Sequence, residues 1–178
     1  MMKKLIWMAA SLLLLAACAS GPSIVSNTSH GADFGAFKTY NFFPQLGTDR
    51  SNGVRTPISS RLMAAMEREM ESRGLTRSDS PDLLIDFNVW TEDRVDIRST
   101  PSHTVHRSHW NRGFSTWPTY NTTVRQYTQG SLLIDLIDPR SGTLVAEAAA
   151  SQRISDTSLD QAQADKLVAE LMSSVWAN

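Results

Sequence analysis

The sequence predicts an α+β domain in which an antiparallel sheet of about five strands carries two helices on one face. The middle of the chain alternates apolar and polar residues with a period of two, which is typical of half-buried strands. Two other segments repeat apolar residues at helical spacing. Short turns join consecutive strands as hairpins, and two amphipathic helices suffice to cover one face of such a sheet. The expected order of elements is β-α-β-β-β-β-α.

The first residues are typical of an export signal. Lys3 and Lys4 precede an apolar run from Leu5 to Ala17. This run is shorter than the roughly 20 apolar residues that a membrane-spanning helix needs. A charged start, a short apolar run and small residues at its end form the secretory pattern. We therefore expect residues 1–17 to be a signal peptide.

Cys18 is the only cysteine of the 178 residues. An exported protein meets conditions that allow disulfides, but Cys18 has no partner within this chain. The segment Leu15-Ala16-Ala17-Cys18 resembles the bacterial lipobox, which implies cleavage before Cys18 and lipid attachment to it. Ala19 stands where Asp would signal retention, and by similarity to Gram-negative sorting rules this favours the periplasmic face of the outer membrane. The alternative is an ordinary signal followed by a chance cysteine.

Residues 18–32 are expected to form a flexible tether, because Gly, Pro, Ser, Thr and Asn dominate them and few apolar groups are available for burial. Residues 33–178 then form the single folded domain. Its first strand is predicted over Phe37 to Phe43, where aromatic residues that favour strands are dense. Pro44 ends it, and a loop follows to Arg55.

The first helix has clear start and stop signals. Thr56 is a suitable N-cap and Pro57 suits the first helical position. Gly74 suits the left-handed residue that follows a helix. The apolar face at helical spacing consists of Ile58, Leu62, Ala65, Met66 and Met70.

Four further strands are predicted from alternation. The first covers residues 83–98, with a possible bulge at Glu92-Asp93, and residues 122–129 return as the second arm of a long hairpin. Residues 132–137 form the strongest strand. The turn Asp138-Pro139-Arg140-Ser141-Gly142 leads into the last strand, residues 144–150, whose alanines allow a helix to pack closely.

The C-terminal helix begins near a predicted capping box, Ser158 with Gln161 three residues later. Its apolar face consists of Ala164, Leu167, Val168, Leu171 and Val175, and it ends near Trp176.

Several spaced segments together resemble a bacterial lipoprotein family known as domain of unknown function 4136. They are Asp33-Phe34, Phe37-Lys38-Thr39-Tyr40, Arg73-Gly74-Leu75, Pro81-Asp82-Leu83 and the run from Gly130 to Asp138. The resemblance extends from about Asp33 to Trp176. It implies an exported, lipid-anchored α+β domain and implies no activity.

The segment of residues 99–121 has no sustained period and is expected to be a loop. Long loops are often functional, and Trp, Tyr and Arg dominate interface hot spots. A recognition surface for an envelope protein or a glycan is therefore predicted there. In the alternative, the aromatic residues fold back over the open face of the sheet. The candidate partner-binding residues are Trp110, Arg112, Phe114, Trp117 and Tyr120.

The same segment contains His103, His106 and His109, which raises the alternative of a metal-binding protein or a metal-dependent envelope enzyme. The spacing matches no stereotyped site, and strand residues three apart lie on opposite faces. Asp86 and Asp135 are conceivable as an acid–base pair, but single carboxylates on the wet face of a sheet are usually only solvated. We predict no catalytic residue, metal site or cofactor.

Charge is nearly balanced, with 17 Lys and Arg against 18 Asp and Glu. Nucleic-acid partners favour a basic surface, so none is expected. The expectation from sequence is a non-enzymatic, lipid-anchored binding or assembly module of the cell envelope. A purely structural lipoprotein remains an alternative.

Overall fold

A computed structural model of the chain describes residues 21–107, 114–154 and 158–177. Their strands form one six-stranded sheet in the order β1-β6-β5-β4-β2-β3. The strands are β1 Ser23–Thr28, β2 Thr39–Phe42, β3 Thr76–Arg77, β4 Leu83–Arg107, β5 Phe114–Asp138 and β6 Thr143–Ile154, and the helices are α1 Pro57–Ser72 and α2 Gln161–Trp176. The predicted α+β class is confirmed.

Both helices pack on one face of the sheet. The side chains on that face of β4 and β5 pair across the strands, Ile85 with Leu136 and Phe87 with Ile134, and all four are fully buried. Alternate residues of a strand point to opposite faces, which explains why the sequence alternates here. On β6 the residues of this face are Ala146, Ala148 and Ala150, and their small side chains allow α2 to pack against the strand.

The helix ends follow from local chemistry. The Thr56 hydroxyl accepts the N–H of Ser59 at 3.1 Å, and Pro57 is the first residue of α1, as predicted. The start of α2 differs from the prediction. Its N-cap is Asp160, whose carboxylate accepts the N–H of Gln163 at 2.8 Å while the Gln163 side chain accepts the N–H of Asp160. The predicted capping box at Ser158 and Gln161 is therefore wrong by two residues. Two overlapping sequences fit the pattern, and the helix begins after the N-cap whose carboxylate forms a charge-assisted hydrogen bond.

The sheet has one more strand than predicted and is mixed rather than antiparallel. β2 runs parallel to both β3 and β4. The chain leaves β2, crosses over through α1 and returns in the same direction, which is the connection that parallel strands require. The remaining pairs, β1 with β6, β4 with β5, and β5 with β6, are antiparallel.

Part of the predicted tether is an edge strand. β1 pairs with β6 from Ser23 opposite Ser151 to Thr28 opposite Ala146. An edge strand is held by backbone hydrogen bonds, which do not require apolar side chains. The polar composition of this segment therefore did not indicate a strand. The Ser26 hydroxyl also donates to the carbonyl of Ser174 in α2 at 3.2 Å.

The predicted loop of residues 99–121 is largely strand. β4 and β5 pair without a register break from Leu84 opposite Ile137 to Arg107 opposite Phe114. The bulge expected at Glu92-Asp93 is absent, and the irregularity lies between β5 and β6 at Leu136 and Ile137. The separation of residues 122–129 from residues 132–137 is also wrong, because Gly130 and Ser131 continue the strand. The ribbon covers no core in this region, so its residues are largely polar and do not show the apolar alternation that predicts a strand.

Candidate functional site

The outer part of the β4–β5 hairpin extends beyond the rest of the sheet as a two-stranded ribbon. β2 reaches β4 only as far as Ile85, and β6 reaches β5 only as far as Thr128. We call residues 94–107 and 114–127 the arm. Strands usually have 3–10 residues, and an isolated hairpin is marginal in water. Because β4 and β5 have 25 residues each, a ribbon of this length needs an explanation beyond folding.

One face of the arm continues the helix-covered face of the sheet and has an exposed apolar stripe. Ile97 lies directly opposite Val124, and these side chains are 65% and 58% exposed. Tyr120 on the same face is 71% exposed. The apolar stripe consists of Val95, Ile97, Val105, Tyr120 and Val124. Apolar side chains grouped in this way on one face are typical of interaction sites.

Two prolines make the edges of the arm poor templates for an added strand. The Phe43 N–H donates to the Ile85 carbonyl at 3.0 Å, so the odd-numbered residues of β4 turn their peptide groups away from β5. Pro101 is such a residue, and by the same alternation Pro118 turns its nitrogen away from β4. Proline has no N–H to donate at an outward position. Recognition by the faces of the arm is therefore favoured over recognition by its edges.

A groove of about 430 Å³ lies where the arm leaves the helices. Its apolar wall is formed by Ile58 and Leu62 of α1 and by Leu167 of α2, and its floor by Val89 and Leu132. Gly130 also lines it, and a Cβ atom at that position would come within 3.2 Å of the Ile154 side chain. The groove opens onto the face that contains the apolar stripe.

The opposite face of the sheet and arm, which we call the second face, is charged along the arm. The basic cluster of Arg98, Arg125 and Arg153 surrounds Asp96 and a cavity of about 150 Å³. Arg153 lies 3.6 Å from Asp96 and places its guanidinium 3.9 Å from the Tyr127 ring centroid. In the described part of the chain, Arg98 and Arg125 form no ion pair.

Nearer the centre of the sheet, three carboxylates lie side by side on the second face. Asp86 pairs directly with Asp135, and Asp135 pairs directly with Glu147. We call these three residues the acidic row. Burial, together with the charges of Asp86 and Glu147, raises the pKa of Asp135. Their polar partners are neutral: Gly47 N–H donates to Asp86 at 2.9 Å and the Asn27 amide to Glu147 at 2.7 Å.

A family profile described as "Domain of unknown function (DUF4136)" matches residues 24–174. The chain belongs to the DUF4136 family. No curated protein matched the sequence.

Two solved structures are similar to this DUF4136 member. A PDZ domain protein from Parabacteroides distasonis has a TM-score of 0.50 and 20% identity, with 92% of this chain and 38% of that chain covered. The match thus covers well under half of the length of that protein. At this identity, the similarity shows the fold alone. A PelC dodecamer from Paraburkholderia phytofirmans has a TM-score of 0.47 and 11% identity, with 85% and 95% covered.

The structure separates the partner-binding residues predicted from the DUF4136 sequence. Trp117 and Tyr120 lie on opposite faces of β5, and both are more than half exposed, so these two rings do not cover the sheet. Phe114 is the first residue of β5. Trp110 and Arg112 lie outside the described residues, as does Cys18.

The structure places the histidines proposed as metal ligands and the carboxylates proposed as an acid–base pair in different parts of the sheet. His103 is exposed on β4, His106 follows on the same strand, and His109 lies outside the described residues. Within the described residues, no group of three or more His, Cys, Asp or Glu is arranged to hold a metal ion. The structure does bring Asp86 and Asp135 together, and it adds Glu147, which the sequence interpretation did not consider.

The apolar stripe and the basic cluster were not recognised from sequence. Val95 and Ile97 keep the parity of the buried residues of β4, which indicated a continuing strand but not its exposure. Arg153 joins Arg98 and Arg125 only through the pairing of β5 with β6. Neither of the described helices is long and apolar enough to cross a membrane.

Proposed function

We propose that this protein is a non-enzymatic, lipid-anchored module of the bacterial cell envelope that docks a partner protein on the apolar face of its arm. The observation that supports this proposal is the apolar stripe on a ribbon that no other described element covers. An isolated ribbon gains little by burying its own residues, so its length and its exposed Val, Ile and Tyr side chains are explained by a partner.

The groove at the base of the arm supports a protein partner in particular. Protein interfaces place one or two anchor side chains in well-packed pockets and surround them with contacts of lower energy. The groove has an apolar floor and lies beside the stripe. We infer that the partner is an exported protein that inserts an apolar side chain into the groove and lays a mixed surface along the stripe.

The lipid anchor is proposed from the signal and the lipobox-like segment that ends at Cys18. β1 begins at Ser23, so five peptide steps separate Cys18 from the sheet. At about 3.5 Å per residue these steps span at most ~18 Å. An anchored domain therefore remains close to the membrane, which we propose to be the periplasmic face of the outer membrane, rather than at the end of a long tether.

Photocrosslinking in living cells tests the docking proposal. A photoreactive residue at Val124 should give one protein adduct, identified by mass spectrometry, and the same residue at Asn121 on the opposite face should not. Ile97→Asp in the Val124 probe should abolish the adduct, because it places a charge in the stripe. The matched change Asn121→Asp should leave the adduct intact.

Three outcomes would contradict the proposal. They are equal adducts at both probe positions, an adduct with lipid or glycan instead of protein, and an adduct that survives Ile97→Asp. Circular dichroism of each variant must show that the domain remains folded.

A further inference from the structure

The basic cluster on the second face of the arm surrounds a cavity that suits an anion. The three arginines and Thr123 line about 150 Å³ of space. Asp96 neutralises one guanidinium, that of Arg153, at 3.6 Å. Arg98 and Arg125 form no ion pair with any other described residue. Guanidinium groups bind phosphate oxygens through paired, charge-assisted hydrogen bonds, so the cavity has both the charge and the donors that a phosphate group requires.

The strand register places the start of β1 at the end of the sheet from which the arm leaves. Ser23 pairs with Ser151, which pairs with Ser131. Arg125 lies six residues farther along β5, which at about 3.4 Å per residue is ~20 Å. A lipid on Cys18 reaches at most ~18 Å from Ser23. The anchored membrane and the basic cluster therefore lie at similar distances from the same end of the sheet.

Two exposed tryptophans flank the basic cluster on the second face. Trp90 pairs with Ser131 at the base of the arm, and Trp117 pairs with Thr104 toward its tip. Their side chains are 46% and 64% exposed. Tryptophan is enriched where membranes meet water, because its ring is apolar and its N–H finds polar partners among the headgroups. Exposed indoles on both sides of unpaired arginines thus favour a lipid surface over a soluble anion.

We infer that the second face of the arm lies on an anionic phospholipid surface, where the basic cluster binds lipid phosphate groups and Trp90 and Trp117 contact the headgroup layer. This inference rests on the proposed lipid anchor, which holds the arm close to the membrane. It leaves the apolar stripe on the opposite face available to the partner protein.

The acidic row does not cancel this attraction. Asp86 lies ten residues along β4 from Asp96, which pairs with Arg125, and at about 3.3 Å per residue this separation is ~33 Å. Exposed charges are screened over about 8 Å at physiological ionic strength. The acidic row therefore favours an orientation in which the arm lies on the lipid and the far end of the sheet is turned away from it.

Fluorescence quenching on vesicles tests the inference with the acylated full chain. Cys18 is the only cysteine of the chain and is the proposed site of the lipid, so Asn121→Cys on the second face gives a single labelling site. Lipids with a nitroxide on the headgroup should quench a fluorophore there in phosphatidylglycerol vesicles. Quenching should be weaker in phosphatidylcholine vesicles, which have no net charge. A fluorophore on Val124→Cys, on the opposite face, should be quenched less.

Charge reversal tests the role of the arginines. Arg98→Glu with Arg125→Glu should abolish the quenching at position 121 in phosphatidylglycerol vesicles, because the anionic surface then repels the arm. The control Arg50→Glu with Lys166→Glu changes the net charge equally at exposed positions outside the arm, and it should keep the quenching. Circular dichroism confirms that each variant is folded.

Retention of the chain on washed phosphatidylcholine vesicles measures the anchor alone. The inference is overturned, with the anchor intact, if a retained chain shows equal quenching at positions 121 and 124, equal quenching in both lipids, or quenching that survives the arginine variant. Calorimetric binding of inorganic phosphate at the cluster, without quenching by lipid, would also overturn it and would indicate a site for soluble phosphate. Loss of retention on both kinds of vesicle would instead contradict the anchor, and with it the inference that rests on it.

Discussion

Tyr40 shows how a single buried polar atom influences stability in this fold. The side chain is fully buried in the core, and its hydroxyl has no hydrogen-bond partner among the described residues. Burial raises the pKa of Tyr40, and the charges of Glu67 and Glu71 add to this effect. A buried hydroxyl without a partner costs about 1–3 kcal/mol of desolvation.

Tyr40→Phe should therefore raise the free energy of unfolding by about 1 kcal/mol, because it removes the hydroxyl and keeps the ring. Urea denaturation of the natural and variant chains measures the difference. Tyr120→Phe is the matched control, since Tyr120 is 71% exposed and its hydroxyl stays in water. A lower stability of Tyr40→Phe would mean that the hydroxyl is hydrogen-bonded after all.

Asp135 predicts a dependence of stability on pH. Its pKa is raised above the usual 3.8 by burial first and by Asp86 and Glu147 second. The folded chain thus holds this proton more tightly than the unfolded chain does, and ionisation of Asp135 costs stability at neutral pH. The contribution of this group to stability increases as pH falls from above the raised pKa toward 3.8.

Asp135→Asn should raise the free energy of unfolding at pH 7 by about 0.5–1 kcal/mol. It removes the charge that the carboxylates of Asp86 and Glu147 repel from the two neighbouring strands. It should also reduce the gain in stability on mild acidification. Denaturation of dilute protein between pH 4 and pH 7 measures both effects, with Asp79→Asn in the exposed turn before β4 as control. The same pH dependence in natural chain and variant would rule out the acidic row as its source.

Gly47 is required by a close approach that the sequence did not indicate. From sequence, the segment after Pro44 is predicted only as a loop. A Cβ atom at this position would lie 2.9 Å from the carbonyl oxygen of Phe87 and closer still to the Asn88 side chain. Glycine is needed because the loop meets the edge of β4 there.

At the scale of elements, the two helices were predictable because their signals are local. The apolar spacing of α1, the Thr56 cap and Pro57 all lie within one segment, and the structure begins the helix there. β1 and the outer parts of β4 and β5 depend on pairing with distant residues. Their polar composition predicted a tether and a loop, and backbone pairing outweighed that composition.

The arm should be separable from the domain. Replacing residues 95–126 with Asn-Gly would join Arg94 and Tyr127, which are directly paired, through a two-residue hairpin turn. The Thr128 hydroxyl already donates to the Asp93 carboxylate at 2.8 Å. We expect the shortened chain to melt within about 5 °C of the natural one, because the arm adds little to the core.

Thermal melting followed by circular dichroism measures this stability. The shortened chain should also lose its crosslink to the partner, because it lacks the apolar stripe. A control that replaces only residues 101–120 with Asn-Gly keeps the pair of Ile97 and Val124. Loss of cooperative melting in the shorter chain would show that the arm is part of the folded core.

At the scale of the whole molecule, lipid attachment at Cys18 is expected to place the domain at the membrane. Cys18→Ser should abolish uptake of labelled fatty acid and move the protein from the membrane fraction to the soluble fraction. The variant lacks the sulfur that would carry the lipid, and acyl chains are what anchor such a domain stably. Ser20→Ala, two residues away, is the control. Membrane association of Cys18→Ser without labelled lipid would contradict the lipid anchor.

By itself, the sequence determined the α+β class, both helices, the inner parts of four strands, the DUF4136 resemblance and the expectation of an anchor. These depend on local periodicity, capping residues and a short N-terminal pattern, which act within a few residues of each other. Only the tertiary structure decided that the sheet is mixed, that β1 closes one edge, and that residues 99–107 and 114–121 continue strands. It alone also placed Asp135 between Asp86 and Glu147, and Arg153 beside Arg98 and Arg125. Those neighbours are set by strand register, a long-range property that no single stretch of this chain encodes.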